Sequence, residues 1–224
     1  MSMRMFKDRS EAGARLAEVL GSYSNREEAL VLGLPRGGVV VAYEIARALG
    51  LQLDVLIVRK LGFPGQPEFG IGAVSETDRV VLNSDVIGRF GVPPSYLEGE
   101  IGAQRQEMRR RAHLYRGDRA LPALKGRVMI VVDDGVATGS TMKAAIATLR
   151  KEELQKLVVA VPVAPPDTAD ELRALADEFY CLATPELFRA VGAFYWNFEQ
   201  VSDAEVTRLL NEAGTWRSSH GKAA

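Results

Sequence analysis

Residues Val128-Met-Ile-Val-Val132 run straight into two acids, Asp133 and Asp134, and then into Gly135-Val-Ala137-Thr138-Gly139-Ser140-Thr141. An unbroken, largely β-branched apolar run predicts a strand covered on both faces, as in the interior of a parallel sheet. The glycines after it and the helix formers over Met142–Lys151 predict a sharp turn into a helix. Such a unit puts its loop at the C-terminal edge of a sheet, where α/β folds bind ligands. Two adjacent carboxylates are too costly to bury unpartnered, and the vicinal hydroxyls of a sugar would give them donors. Thr138-Gly139-Ser140-Thr141 can aim backbone N–H groups and hydroxyls at one point at a helix N-terminus, which suits an anion. A sugar diol beside a phosphate describes a ribose 5-phosphate.

The rest of the chain repeats the alternation. Ala12, Leu16, Val19 and Leu20 recur at helical spacing up to Gly21. Strands are predicted at Ala29–Leu34, Leu53–Val58, Leu157–Val163 and Glu178–Ala183, and helices at Val39–Leu49 and Thr168–Asp177. Gly70–Ser75 and Val80–Asn83 predict a short strand pair, Pro94–Arg116 a long helix, and the Gly- and Pro-rich Lys60–Phe69 a mobile loop. This pattern predicts an α/β domain with a mainly parallel, twisted sheet flanked by helices. A single domain is expected over 1–213, its last helix at Asp203–Asn211, with a disordered tail over 214–224.

Composition narrows the function. Lys+Arg total 28 against Asp+Glu 29, so the net charge of −1 draws the chain neither to nucleic acid nor to anionic lipid. A polyanion must be held by a local site. Cys181 is the single cysteine, which excludes an internal disulfide framework and a cysteine metal cluster, and suits the cytoplasm. His113 and His220 share no metal-ligand spacing. No apolar stretch approaches the roughly 18 residues of a membrane span, and the first residues lack a secretory apolar core. Neither a P-loop nor a Gly-x-Gly-x-x-Gly fingerprint is present.

Residues 128–141 resemble the phosphoribosyl diphosphate signature of type I phosphoribosyltransferases: apolar residues, two acids, then a Thr-Gly-(Ser/Thr)-Thr cradle. The resemblance implies that Asp133 and Asp134 hold the ribose 2′ and 3′ hydroxyls. It also implies that Ala137, Thr138, Gly139, Ser140 and Thr141 wrap the 5-phosphate. Gly135 departs from the branched apolar residue that many members carry there. Leu34-Pro-Arg36-Gly37-Gly38 lies between a predicted strand and helix, where family members place a pyrophosphate-binding loop, and Arg36 adds charge and a donor fork. Arg59 and Lys60 resemble the basic position that touches the diphosphate, and Lys60–Phe69 corresponds to the family's lid.

The resemblance covers about 29–183, and the acceptor-selecting hood of the family lies outside that core. Candidate hood pieces are the N-terminal segment, the aromatic run Phe194–Phe198 and the Pro94–Arg116 helix. Tyr195 and Trp196 are candidates to stack on a flat heterocycle, with packing as the alternative role. Arg109-Arg110-Arg111 reads as a solvated or subunit-contact face, which leaves room for a homodimer. The implied activity is Mg²⁺-dependent transfer of the 5-phosphoribosyl group from phosphoribosyl diphosphate to a nitrogen acceptor, with release of pyrophosphate. Asp133, Asp134 and Lys60 would be its catalytic residues, and Mg²⁺ would be held mainly through substrate oxygens. The alternative is a regulatory protein that senses phosphoribosyl diphosphate. Relatives acting on 6-oxopurines often carry an Asp at the place of Ala137, so the resemblance implies a different acceptor, activated from elsewhere, such as by Glu68.

Overall fold

The chain opens with α1 (Arg9–Val19), β1 (Ala29–Gly33), α2 (Gly37–Leu49) and β2 (Gln52–Val55), followed by β3 (Val58–Phe63), β4 (Gln66–Ser75) and β5 (Val80–Leu82). Then come α3 (Ser84–Phe90), α4 (Pro94–Arg116), β6 (Val128–Val132), α5 (Ser140–Leu149), β7 (Lys156–Val163), α6 (Pro166–Leu175), β8 (Glu178–Ala183) and α7 (Asp203–His220). This computed structural model describes residues 5–220, apart from the side chains of 67–68 and 217–220.

Five strands form one sheet in the order β2-β1-β6-β7-β8, with every neighbouring pair parallel. The apolar run in β6 lacks alternation because both of its faces are covered. Val128, Ile130 and Val132 join the core that includes α1, α2 and α7, while Met129 and Val131 join the core under α5 and α6. From β1 the chain moves outward to β2, and from β6 it moves outward the other way, to β7 and β8. The C-terminal ends of β1 and β6 therefore flank a switch point, the crevice in which such sheets bind ligands.

The parallel sheet is as the alternation predicts, but three expectations need correction. The predicted strand Leu53–Val58 is divided between β2 and β3, which belong to different sheets. Lys60–Phe69 is a paired hairpin rather than an open loop: β3 pairs antiparallel with β4, and β4 with β5. Its glycines serve the turn, where Gly65 has φ +73°, and the irregular register around Gly62. α3 carries no sequence expectation at all. Finally, α7 continues through 214–220, expected as disordered tail, because Trp216 packs on Tyr43 with ring centroids 4.8 Å apart. Residues 221–224 lie outside the described residues.

One buried guanidinium joins the two sheets. Arg116, at the end of α4, donates from Nε to Asp54 Oδ1 at 2.6 Å, and from Nη1 and Nη2 to the Glu76 carboxylate at 2.5 and 3.0 Å. Nη2 also donates to the Val55 carbonyl. Asp54 sits in β2 and Glu76 just beyond β4, so α4, the parallel sheet and the hairpin sheet meet at this side chain. The arginine run behaves as a solvated face: Arg110 and Arg111 pair with Glu107, holding its carboxyl down at about 2. The Cys181 thiol is partly buried, donates to the Ala183 carbonyl at 3.1 Å, and is pushed up by burial.

Candidate active site

The fold brings the end of β1 and the end of β6 together. Leu34 N–H donates to the Val132 carbonyl at 2.8 Å, extending the β1–β6 ladder into the loops. Arg36 then caps α2, so the glycines of Pro35-Arg36-Gly37-Gly38 form the first helical turn instead of a free loop. The Pro35–Arg36 peptide is cis. Glycine is required at 37 by close approach: a Cβ there would lie 1.9 Å from Asp134 Oδ2. The candidate pyrophosphate loop and the acid pair are thus in direct contact.

The acids themselves are enclosed. Asp133 Oδ1 accepts from the Asp134 N–H at 2.9 Å, and Asp134 Oδ2 accepts from Arg9 Nε at 2.7 Å. Burial raises the Asp133 carboxyl well above the ordinary aspartate value, and the neighbouring Asp134 charge raises it further. Burial also raises Asp134, where the Arg9 guanidinium opposes it. A site with one carboxylate neutralised by arginine and the other held against its own charge favours a ligand that brings hydrogen-bond donors.

Beyond Asp134 the chain turns through Gly135 at φ +145°, where a Cβ would also meet Val191 Cγ1 at 2.6 Å. This contact explains the departure from a branched residue at that place. Gly139 is left-handed at φ +68° and leads directly into α5 at Ser140, two residues before the predicted start. Thr138 and Ser140 hydroxyls lie 2.8 Å apart, and Thr168 donates to the Ala137 carbonyl at 2.9 Å, pinning the loop from α6. Ala137, Thr138, Ser140 and Thr141 are exposed. The loop therefore offers hydroxyls and N–H groups to solvent at a helix start, the arrangement that holds a phosphate.

Thr141 also lines a cleft of about 310 Å³ shared with Arg59, Lys60 and Gly62 of β3 and with Glu100 and Gln104 of α4. Arg59 Nε donates to Gln104 Oε1 at 2.7 Å, and Gln104 donates on to Glu100 at 3.0 Å. The sequence expectation included Arg59 and Lys60 but missed Glu100 and Gln104, which lie one helical turn apart on α4 and match no motif.

The first described residues and the segment ahead of α7 meet over the acid pair. Phe6 pairs in parallel with Tyr195, Met5 N–H donates to the Phe194 carbonyl at 2.8 Å, and Asn197 N–H donates to the Lys7 carbonyl at 2.8 Å. Tyr195 is corrected as an acceptor platform. It is 2% exposed, sandwiched near Phe6 and Phe198, and its hydroxyl donates to the Asp134 carbonyl at 2.5 Å. Trp196 is 66% exposed. Arg9 was missed altogether, since it belongs to the first helix and lies 125 residues from Asp134 in sequence. Glu68, the lid residue considered as an activating base, has its side chain outside the described residues.

A parallel sheet with an acid pair and a hydroxyl-lined helix start at its switch point defines an α/β protein of the phosphoribosyltransferase fold. The chain belongs to the phosphoribosyl transferase domain family, whose model matches residues 5–199. Among solved structures it resembles the protein TT1426 from Thermus thermophilus, with 49% identity, a TM-score of 0.83, and coverage of 93% of this chain and 98% of that one. Rv0571c of Mycobacterium tuberculosis, whose name assigns it provisionally to the phosphoribosyl transferases, is 46% identical over 94% of this chain. That alignment spans 47% of Rv0571c, so the chain covers about half the length of this relative. A uracil phosphoribosyltransferase of Aquifex aeolicus is 30% identical over 80 residues, 36% of this chain and 38% of its own length.

Proposed function

We propose that this chain transfers the 5-phosphoribosyl group of phosphoribosyl diphosphate to a nitrogen acceptor, releasing pyrophosphate. The observation that carries the reading is the contact between the Arg36-Gly37-Gly38 turn and the Asp133–Asp134 pair, one loop away from the Thr138–Thr141 cradle. The cradle takes the 5-phosphate and the acids take the two ribose hydroxyls. This leaves C1 facing the turn whose N–H groups, with Arg36 and Lys60, receive the diphosphate. The β3–β4 hairpin, whose first strand shares a cleft with Thr141, would be the element that excludes water, which would otherwise compete for an oxocarbenium-like centre. The terminal segments around Phe6 and Trp196 form the acceptor-facing hood, and the single cysteine suits a cytoplasmic setting.

The residues present fit Mg²⁺ held through substrate oxygens. Among the described residues no three acidic, histidine or cysteine groups converge, and one carboxylate of the acid pair already carries Arg9. When bound to the diphosphate, Mg²⁺ would offset the charge of the leaving group. The direct test is pyrophosphate release from phosphoribosyl diphosphate and Mg²⁺ with a panel of nitrogen bases.

Millimolar phosphoribosyl diphosphate with Mg²⁺ is expected to raise the thermal midpoint, because a ligand bound only by the native state stabilises it by mass action. A raised midpoint with no pyrophosphate release from any base would favour the sensing alternative, and an unmoved midpoint would remove both readings. Ala137 sets a second expectation. It offers no proton to an acceptor, and acid–base help is worth about 10²–10⁴-fold, so hypoxanthine and guanine should be poor acceptors beside adenine or a non-purine base. Selective use of either 6-oxopurine in initial-rate assays would contradict it.

A further inference from the structure

We propose that Arg9 is a positioning residue of the ribose site: it fixes the Asp134 carboxylate as acceptor of a sugar hydroxyl and couples it to the 198–199 segment. The inference rests on the phosphoribosyl reading above and adds a residue that no local motif carries. Arg9 stands at the first position of α1, where the helix dipole disfavours a cation. Its helix gives it no partner in return, since the Asp8 side chain caps the Glu11 N–H and the Glu11 carboxylate accepts from the Lys7 N–H. The compensation comes from afar. Nε donates to Asp134, Nη1 donates to the Glu199 carbonyl at 2.7 Å, and the guanidinium lies 3.8 Å from the centre of the Phe198 ring. The side chain is 12% exposed.

This geometry places one planar cation where three segments meet. The backbone at Gly37 comes so close that a Cβ there would lie 2.9 Å from Arg9 Nε as well as against Asp134. Among the described residues, the ionisable groups facing Asp134 are Asp133, Arg9 and the Tyr195 hydroxyl, so Arg9 is the cation of that set. Two bare acids would repel a substrate that carries a phosphate and a diphosphate. With Arg9 attached, Asp134 accepts hydrogen bonds while contributing little net negative charge. The bond to Asp134 and the stacking on Phe198 are made by the same group, so rearranging the 198–199 segment would turn the carboxylate.

The test titrates phosphoribosyl diphosphate with Mg²⁺, and inorganic phosphate alone, into the wild type and the variants Arg9→Gln, Arg9→Lys and Phe198→Leu. Arg9→Gln is expected to weaken the phosphoribosyl ligand by about tenfold to a hundredfold, the range of a lost charged hydrogen bond. Arg9→Lys should recover part of that loss, and Phe198→Leu, which keeps both charges, should give a smaller loss in the same direction. Inorganic phosphate needs only the cradle and should bind all four proteins alike, a contrast that a general loosening of the fold would not produce. The acid limb of binding should also move to higher pH in Arg9→Gln, because the cation that favours the Asp134 anion is gone. Equal binding of the phosphoribosyl ligand by Arg9→Gln and wild type, or an equal loss of inorganic phosphate, overturns the inference alone. Failure of the wild type to bind phosphoribosyl diphosphate overturns the phosphoribosyl reading and this inference with it.

Discussion

Asp133→Asn is expected to cut kcat/KM for phosphoribosyl diphosphate by about 10²–10³-fold, while raising the thermal midpoint at pH 7. The two effects have one cause. Asp133 is enclosed beside a second acid, so burial and the Asp134 charge hold its carboxyl well above its ordinary value. The native state then binds more protons than the unfolded chain, and stability falls as pH rises from the unfolded value of about 4 through the raised native value. Asparagine keeps the Oδ1 acceptor used by the Asp134 N–H and removes this penalty. Its advantage should be full above the native titration and should shrink as pH falls toward about 4. Melting curves across that range, with parallel initial rates, check both parts. Wild-type turnover, or a lower midpoint at pH 7, would make the acid a structural group and not a ribose ligand. Adding Asp134→Asn should deepen the loss of activity and give back the stability gain, because Arg9 would then lack its anion.

Arg116→Leu should lower stability by about 3–5 kcal/mol, the range found when one member of a buried ion cluster is removed. For a chain of this size that is a fall of very roughly 6–20 °C in the thermal midpoint. The cost comes from Asp54 and Glu76, left charged and enclosed, more than from the bonds themselves. Neutralising them in the same chain, with Asp54→Asn and Glu76→Gln, should recover much of the loss. Both replacements keep an oxygen for the Val55 and Ile57 N–H groups. Denaturant or thermal melting decides, and a single variant within about 2 °C of wild type would show that the cluster adds little to the joint between the sheets.

The parallel sheet was legible because its information is local. Val128–Val132 predicts a two-sided strand, Gly139 predicts a turn, and the order of strands and helices predicts the crossovers. The Asp133–Thr141 loop and the Arg36-Gly37-Gly38 turn were legible for the same reason, since each is a continuous piece of chain. The hairpin was not, because Gly and Pro in 60–69 signal a break in structure and say nothing about pairing with a strand further on. The tail was misread because Trp216 gains its stability from Tyr43 on another helix, a contact with no trace in composition. Arg9 and Tyr195 were unreadable as parts of the acid site for a related reason. Each meets Asp134 only through the tertiary fold, and in the sequence they resemble an ordinary helix cation and a packing aromatic.

The pairing of Phe6 with Tyr195 has a temporal meaning. During synthesis, β6 and its acids emerge while the segment bearing Tyr195, Phe198 and Glu199 is still inside the ribosome. A nascent chain halted after β8 has all five strands of the parallel sheet and the whole Thr138–Thr141 loop, yet Arg9 has no ring to lie on and the Asp134 carbonyl has no tyrosine. Closing that last seam joins residues 190 positions apart, the kind of contact that forms slowly because loop entropy is lost before contacts reward it. The strands of the sheet and the closure over Asp134 are therefore supplied by separate stretches of the chain. The Asp134 carboxylate and carbonyl thus keep their Arg9 and Tyr195 partners as placed here only with residues 194–199 docked against the N-terminal segment.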